Sequence, residues 1–358
     1  MANNNFDLTN LAIKCICPNN KLLYDDVGKP SVMVKIPKMT YAQLGLGSSS
    51  DIHPAFIVNG VTKDFLYISK YQNIVQNSRA YSLPAQDPKA QITFDQANAA
   101  CKAKGAGWHL MTRAEWAMLA LWCKANGTQP KGNNYYGKDH SETVYRAIPT
   151  YKDGANIGRV ATGTGPVTWS HDGTPSGIWD LNGNVWEWVG GLRLVKGEVQ
   201  ILANNNAAIV TADQSASSAE WKAIDATTGE LLTPDGTGTT ANSVKLDYVS
   251  SHWQWDTSIS SQSDSSRNAP FENTTCSANI SDAAKLVLQA LCLFKYDATS
   301  GAYSGDYFYA NNGASERSFY CGGDWTNGAS SGVFALNGNT ARSYSNAYIG
   351  FRSAYYEP

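Results

Sequence analysis

The sequence predicts an α+β fold that is rich in loops and carries a long insertion. Three features indicate this class: strand-like runs in which apolar and polar residues alternate, two helices with clear capping signals, and a tryptophan-rich segment over residues 177–188. At 358 residues the chain is long enough for two modest domains, or for one large domain with an insertion.

The composition is poor in charge. Charged residues make up 16% of the chain, against roughly 25% in ordinary globular proteins, and 28 Lys and Arg nearly balance 30 Asp and Glu. Because no basic block could neutralise a run of phosphates, nucleic acid is excluded as a partner. Asn, Ser, Thr, Gly and Tyr therefore supply much of the hydration, and these residue types dominate evolved binding surfaces.

The first residues show no pattern typical of a targeting signal. Residues 1–10 are polar, and the apolar run over 11–17 is short and interrupted by Lys14, so we expect neither a signal peptide nor a lipoprotein anchor. We expect no membrane insertion, because no run approaches the roughly 18 apolar residues of a membrane helix. The chain is therefore expected to be made in the cytoplasm.

The seven cysteines form no metal-ligand or disulfide pattern, since there is no CxxC and no histidine at zinc-ligand spacing. Cys101, Cys123 and Cys292 lie inside apolar helical patterns, which predicts that they are small core residues. We expect a reduced protein without a cofactor.

Two early runs, residues 32–38 and 64–71, alternate between apolar and polar side chains and are predicted to be strands. Two helices follow. Thr93 with Gln96, and Thr112 with Glu115, have the spacing of capping boxes at the start of apolar stripes. Glu115 is therefore interpreted as a helix cap and not as a catalytic carboxylate.

Residues 127–175 are rich in Gly, Asn, Pro and Thr and are predicted to form long surface loops. His109, His140 and His171 have no nearby partners for a metal site or a triad. We interpret them as ordinary histidines.

The tryptophan-rich segment, residues 177–188, is the most distinctive part of the sequence. A turn at Asn182 and Gly183 is predicted to join two buried flanks. Asn182, Asn184 and Glu187 offer oxygens that suit Ca²⁺. The favoured alternative is that these side chains satisfy local backbone groups.

Residues 192–312 differ in composition and read as an insertion without a chemical motif, containing a helix over 281–294 and a strand that carries Trp253 and Trp255. The predicted organisation has three parts: an N-terminal segment over 1–58, one domain over 59–195 and 313–358, and an insertion over 196–312.

The order of these motifs resembles the formylglycine-generating enzyme (sulfatase-modifying factor) family, a branch of the C-type lectin fold. The resemblance rests on residues 67–71, the helix beginning at Thr93, residues 109–116, the tryptophan-rich segment, and residues 350–354. It implies an α+β domain of the C-type lectin fold of this type, loop-rich and with an insertion.

The end of the chain departs from the enzymes of that family, whose closing segment carries a pair of cysteines that hold copper. Here Cys321 precedes Gly322 and Gly323, and no cysteine follows before residue 358. Two thiolates for a soft metal are therefore missing. We predict that the chain is not an enzyme and binds no metal.

Residues 317–352 look like the variable region of diversity-generating retroelement proteins, in which adenines of a template copy are randomised. Asn codons ending in a pyrimidine can then become Tyr, Ser, Thr, Asp, Gly, Ala, Phe or Cys, which are the residue types found here. The residues predicted to contact a ligand are Asp324, Thr326, Asn327, Ser330, Asn337, Asn339, Thr340, Tyr344, Asn346, Ala347 and Tyr348. Six of them are expected to be mostly exposed and gathered on one face: Asp324, Thr326, Asn327, Tyr344, Asn346 and Tyr348.

Framework residues should lie beneath that surface, among them Trp325, Phe334 and Phe351. The resemblance implies a ligand- or receptor-binding protein with a diversified surface, located on a phage tail or another phage or prophage structure, or alternatively on a bacterial surface. The partner is expected to be a protein or glycan on a cell, and the oligomeric state is left open. Alternative functions are a formylglycine-generating-type oxidoreductase, an iron-dependent relative that makes carbon–sulfur bonds, and a sugar-binding lectin.

Overall fold

The computed structural model describes residues 8–145 and 147–358. Its helices are α1 Leu8–Ile16, α2 Phe94–Lys102, α3 Arg113–Ala125 and α4 Asp282–Ala290. The prediction about the polar N-terminus concerns residues 1–10, of which 1–7 lie outside the described residues. In the part of the chain that is described, no helix is long and apolar enough to cross a membrane.

The strands, in chain order, are β1 Asn20–Tyr24, β2 Pro30–Pro37, β3 Ile57–Val58, β4 Val61–Thr62, β5 Phe65–Ser69, β6 Ile74–Gln76, β7 Arg79–Tyr81, β8 Trp108–Leu110, β9 Lys152–Asp153, β10 Asn156–Ile157, β11 Trp186–Val195, β12 Glu198–Ile201, β13 Lys222–Ile224, β14 Leu231–Leu232, β15 Lys245–Val249, β16 His252–Asp256, β17 Arg267–Pro270, β18 Thr275–Cys276, β19 Tyr307–Ala310, β20 Arg317–Cys321, β21 Leu336–Thr340, β22 Ile349–Phe351 and β23 Ser353–Tyr355.

A five-stranded antiparallel sheet has the order β1-β2-β5-β23-β8. The two runs predicted to be strands, 32–38 and 64–71, are its strands β2 and β5. The N-terminal segment is thus hydrogen-bonded to the core of the fold through β2. The last strand of the chain lies between β5 and β8.

A larger sheet contains most of the remaining strands, and its central path is β17-β19-β21-β20-β11-β12-β15-β16-β18. β11 is antiparallel to β20 and parallel to β22, so three parts of the sequence that are far apart meet at its first residues. β19, which lies within 196–312, pairs in parallel with β21 of the C-terminal segment.

Both predicted capping boxes are present. The Thr93 hydroxyl accepts a hydrogen bond from the backbone N–H of Gln96, and the Thr112 hydroxyl accepts one from that of Glu115. The helix predicted over 281–294 is shorter and begins after the cap Ser281.

The main core is continuous across the predicted insertion boundary. Trp253 and Trp255 are fully buried on β16 and belong to the same hydrophobic cluster as Trp116 of α3 and Leu194 of β11. Their indole N–H groups donate to the backbone oxygens of Phe308 and Leu293 respectively. The strands within 196–312 therefore extend the large sheet, while the domain boundaries at 195 and 313 stay a prediction.

Candidate functional site

One concave pocket of about 340 Å³ lies where the C-terminal loops meet the large sheet. Two loops reach it, one over residues 322–335 between β20 and β21, and one over 341–348 between β21 and β22. Eight of the eleven residues predicted to contact a ligand line it: Asp324, Thr326, Asn327, Asn337, Asn339, Thr340, Tyr344 and Tyr348.

Three aromatic residues complete the lining, and none was among the predicted contacts. Trp186 is the first residue of β11, Tyr320 lies on β20, and Tyr309 lies on β19. The ring of Tyr309 lies 6.0 Å from that of Trp186 with an 89° angle between the planes, and the ring of Tyr320 lies 5.2 Å away at 68°. The Tyr309 and Tyr320 rings therefore meet the Trp186 ring edge-to-face and do not stack on it.

The sequence pattern gives a different reason for each of these three omissions. It assigns no role to Tyr320, and it places Trp186 in a buried flank of the tryptophan-rich segment. Tyr309 belongs to the stretch interpreted as an insertion, and its strand partner Asn337 is in the C-terminal segment. Tyr307 and Tyr309 alternate with apolar residues, and this pattern indicates a strand with one solvent-facing side.

The other three predicted contacts lie beside the pocket lining. The Asn346 side chain donates to the Tyr344 hydroxyl at 3.1 Å. Ala347 packs on the cluster around Trp325, and its backbone oxygen accepts from Arg159 at 2.9 Å. Ser330 is half-buried in the first loop.

The prediction that six of the contact residues are mostly exposed is wrong, because only Thr326 is exposed while Asp324 is buried and the other four are half-buried. Asp324 is 4% exposed and Asn337 is 7% exposed. The Asp324 Oδ1 accepts from the backbone N–H of Thr326 at 2.7 Å and from the Thr326 hydroxyl at 2.6 Å. The Asn337 Oδ1 accepts from the backbone N–H of Asn339 at 3.1 Å. Burial raises the pKa of the Asp324 carboxyl.

The remaining contact candidates are exposed to different degrees. Thr326 is exposed, whereas the others are half-buried: Asn327, Ser330, Asn339, Thr340, Tyr344, Asn346, Ala347 and Tyr348. A concave pocket explains this distribution, because side chains that line a hollow also cover one another.

The predicted framework residues Trp325, Phe334 and Phe351 are buried, as expected. The Trp325 indole N–H donates to Asp153 at 3.2 Å. Gly323 has a φ of +86°, and a Cβ atom there would lie 1.9 Å from the Ser331 hydroxyl. Only glycine fits this position, which fixes the start of the first loop.

A buried ion pair lies behind the pocket. The Arg352 Nε donates to Glu187 Oε2 at 2.6 Å, and the Arg352 Nη1 donates to the backbone oxygen of Ser69 at 3.2 Å. Both charged side chains are at most 1% exposed. This pair ties β11 to the end of the C-terminal segment, next to the residues that line the pocket.

The oxygens considered for Ca²⁺ have protein partners. The Asn184 Oδ1 accepts from the backbone N–H of Val160 at 2.9 Å, and the Asn182 Oδ1 accepts from Asn134 at 3.3 Å. Glu187 is paired with Arg352. Over residues 8–145 and 147–358 no group of three or more His, Cys, Asp and Glu side chains is arranged to hold a metal ion.

Cys321 is fully buried, and its sulfur accepts from the Arg113 Nη1 at 3.0 Å. Burial raises the pKa of the Cys321 thiol to about 11, so the thiol is protonated at neutral pH. The predicted core residues Cys101, Cys123 and Cys292 are likewise buried with free thiols.

Glu115 has the predicted capping role and a second one. Its Oε2 accepts from the Thr112 backbone N–H at 2.9 Å, while its Oε1 lies 2.8 Å from His109 Nε2. His171 is also buried, and burial lowers its pKa to about 4. His140 is partly exposed beside Asp139. None of the three histidines lines the pocket.

Comparison with known proteins gives one family match. Residues 56–223 match the model described as the sulfatase-modifying factor enzyme 1-like domain. A search of curated proteins gave no match.

Among solved structures, PvdO from Pseudomonas aeruginosa is 14% identical with a TM-score of 0.37, covering 94% of this chain and 97% of that chain. Treponema denticola variable protein 1 is 12% identical with a TM-score of 0.34, covering 94% and 98%. The U1 variant of Major Tropism Determinant is 12% identical with a TM-score of 0.30, covering 90% of this chain and 62% of that one. Residues 56–223 are thus similar to the sulfatase-modifying factor enzyme 1-like domain, and the mixed sheets, helices and long loops agree with the loop-rich α+β fold of the formylglycine-generating enzyme type predicted from the sequence.

Proposed function

We propose that this chain is a ligand-binding protein without catalytic activity, and that the pocket between the two C-terminal loops is its binding site. The observation that carries the proposal is the position of the predicted contact residues. Eight of them come from two loops and from β21, yet they line a single hollow. A pocket of about 340 Å³ is within the range of ligand sites, roughly 300–1,000 Å³.

The arrangement separates recognition from stability only in part. Trp325, Phe334 and Phe351 are buried beneath the loops, while polar lining residues such as Thr326 and Asn327 are exposed or half-buried. This is the division expected of a retroelement-diversified surface. We propose that the ligand is a protein or glycan receptor on a cell and that the chain acts on a phage or prophage structure, with display on a bacterial surface as the alternative.

Cell binding tests the site directly. The purified chain, labelled on its lysines with a fluorophore, is incubated with a panel of bacterial strains, and bound fluorescence is measured by flow cytometry. Thr326→Arg places a large cation at the exposed rim of the pocket and is expected to abolish binding to any strain that the native protein binds. The matched control is Thr62→Arg, the same change at an exposed position on β4 outside the pocket. Equal binding by the native protein and Thr326→Arg would refute the proposed site.

The diversification itself has a genetic test. DNA beside the gene should contain a near-copy of the bases encoding the C-terminal segment, mismatched at adenines, next to a reverse transcriptase gene. A flanking region without such a copy would contradict the retroelement origin but not ligand binding.

A further inference from the structure

The pocket combines aromatic walls with a single charge. Five of its eleven lining residues are aromatic: Trp186, Tyr309, Tyr320, Tyr344 and Tyr348. Tyr309 and Tyr320 stand steeply to Trp186, at 89° and 68°. Trp186 and Tyr320 are each only 2% exposed, so the aromatic surface open to a ligand comes mainly from the half-buried rings of Tyr309, Tyr344 and Tyr348.

The charge of the pocket is negative. Asp324 is the one acidic side chain in its lining, and the lining contains no Lys, Arg or His. The carboxylate lies at the aromatic walls, because the Trp186 side chain is one of its hydrogen-bond partners. Aromatic faces attract cations through the ring quadrupole, and more strongly where water is excluded. A buried carboxylate adds to the same preference.

Many polar groups around the pocket are already paired with one another. The Tyr320 hydroxyl donates to Asn339 Oδ1 at 3.1 Å, and the Asn339 amide donates to the Ser266 hydroxyl at 2.9 Å. The Tyr344 and Tyr348 hydroxyls are 2.9 Å apart. A guest that needs many hydrogen bonds, such as a sugar ring, would have to break these contacts. A cation without N–H groups would leave them intact.

We propose that the pocket recognises a quaternary ammonium group, with the aromatic walls surrounding its methyl groups and Asp324 balancing its charge. This inference rests on the proposed function, because it names the ligand chemistry of the same pocket. Two sources carry this group: a phosphocholine headgroup on a cell-surface polymer or lipid, and a trimethylated lysine side chain on a protein. The shared trimethylammonium group is what the pocket selects.

Choline and 3,3-dimethyl-1-butanol form a matched pair of probes, since the second replaces the charged nitrogen by a neutral carbon of the same shape. Their binding to the native protein is measured by isothermal titration calorimetry and by saturation-transfer NMR on the methyl signals. Choline is expected to bind at least about tenfold more tightly than the neutral isostere. Equal affinity for the two probes, or no binding of choline, would overturn the proposal. Methyl glucoside tests the sugar alternative, and tighter binding of it than of choline would also overturn the proposal.

Three variants locate the binding within the pocket. Asp324→Asn is expected to weaken choline severalfold and to leave the isostere unchanged. Tyr309→Leu should weaken choline, whereas Tyr309→Phe, which keeps the ring, should not. If Tyr309→Leu fails to fold, Asp324→Asn still tests the charge. Unchanged choline affinity in folded Asp324→Asn and Tyr309→Leu would place the cation elsewhere and refute the assignment.

Phosphocholine and a trimethyl-lysine peptide are then titrated separately. Binding of either ligand supports the proposal and identifies the source. If neither ligand binds, the proposal is contradicted. The cell-binding experiment distinguishes the two levels of failure. Suppose that Thr326→Arg abolishes cell binding, but that choline neither binds to the protein nor reduces its binding to cells. The proposed binding function is then supported, and the assignment of a quaternary ammonium ligand is refuted. If Thr326→Arg binds cells normally, the binding site itself is wrong.

Discussion

The hydroxyl groups of Tyr344 and Tyr348 lie 2.9 Å apart and share a hydrogen bond. Both rings are half-buried and pack against the cluster that contains Trp186 and Phe351. The Tyr348 ring also lies 6.4 Å from that of Trp325. The two tyrosines therefore support the second loop as well as lining the pocket, which differs from the exposed positions expected from the sequence.

Replacing both tyrosines by Ala is accordingly expected to lower the free energy of unfolding by about 2–4 kcal/mol, because two partly buried rings are lost. Chemical denaturation followed by tryptophan fluorescence measures the change. Tyr344→Phe keeps the ring and should stay close to the native stability. A double Ala variant as stable as the native protein would show that the rings contribute no packing.

The buried pair of Arg352 and Glu187 predicts a larger effect. Arg352→Met leaves the Glu187 carboxylate buried without its charged partner, which costs about 3–5 kcal/mol in comparable sites. Lys285→Met, which removes one partner of the exposed pair with Asp282, should leave stability unchanged. Urea denaturation of both variants tests the contrast, and equal effects of the two substitutions would contradict it.

Asp306 predicts a pH dependence. It is 1% exposed, its Oδ2 accepts from the Phe334 backbone N–H at 2.7 Å, and burial raises the pKa of its carboxyl from 3.8 to about 8. The folded protein then keeps this proton while the unfolded chain loses it, so stability falls as pH rises from about 4 to about 8 and changes little above that.

Asp306→Asn removes this titration and keeps an oxygen for Phe334. Its melting temperature should exceed that of the native protein by several degrees at pH 9, and the difference should shrink towards pH 5. Differential scanning calorimetry at both values provides the test. A difference that is the same at pH 5 and pH 9 would mean that Asp306 does not titrate in this range.

The state of Cys321 predicts that the protein does not generate formylglycine. The Cys321 thiol is buried and accepts a hydrogen bond from Arg113. Cys321 is also the only cysteine in the sequence after residue 317. Incubation of the protein with a cysteine-containing sulfatase peptide, copper and a reductant should leave the peptide mass unchanged. Cys321→Ser should behave identically. Loss of mass corresponding to an aldehyde, abolished in Cys321→Ser, would assign an enzymatic role instead.

Local signals in the sequence predicted the local structure well. The capping boxes at Thr93 and Thr112 depend on residues three positions apart, and both are present. The burial of Trp325, Phe334 and Phe351 followed from their chemistry alone. Residue types also singled out positions that converge on one pocket, although their role in binding stays a prediction.

Contacts between distant parts of the chain could not be predicted from such local signals. Tyr309 reaches the pocket because β19 pairs with β21, and no local pattern encodes that pairing. Asp324 is buried, and it accepts two hydrogen bonds from Thr326. A loop sequence rich in polar residues carries no sign of which side chain turns inward.

The position of Ser353–Tyr355 between Phe65–Ser69 and Trp108–Leu110 has a consequence for biosynthesis. The two outer strands leave the ribosome long before the strand that joins them, and until it arrives each has an unpaired edge. Such edges invite aggregation and proteolysis. A frameshift or stop codon anywhere in residues 317–352 removes the joining strand, so the truncated chain cannot close this sheet. The topology thereby makes closure of this sheet depend on translation in frame to residue 355.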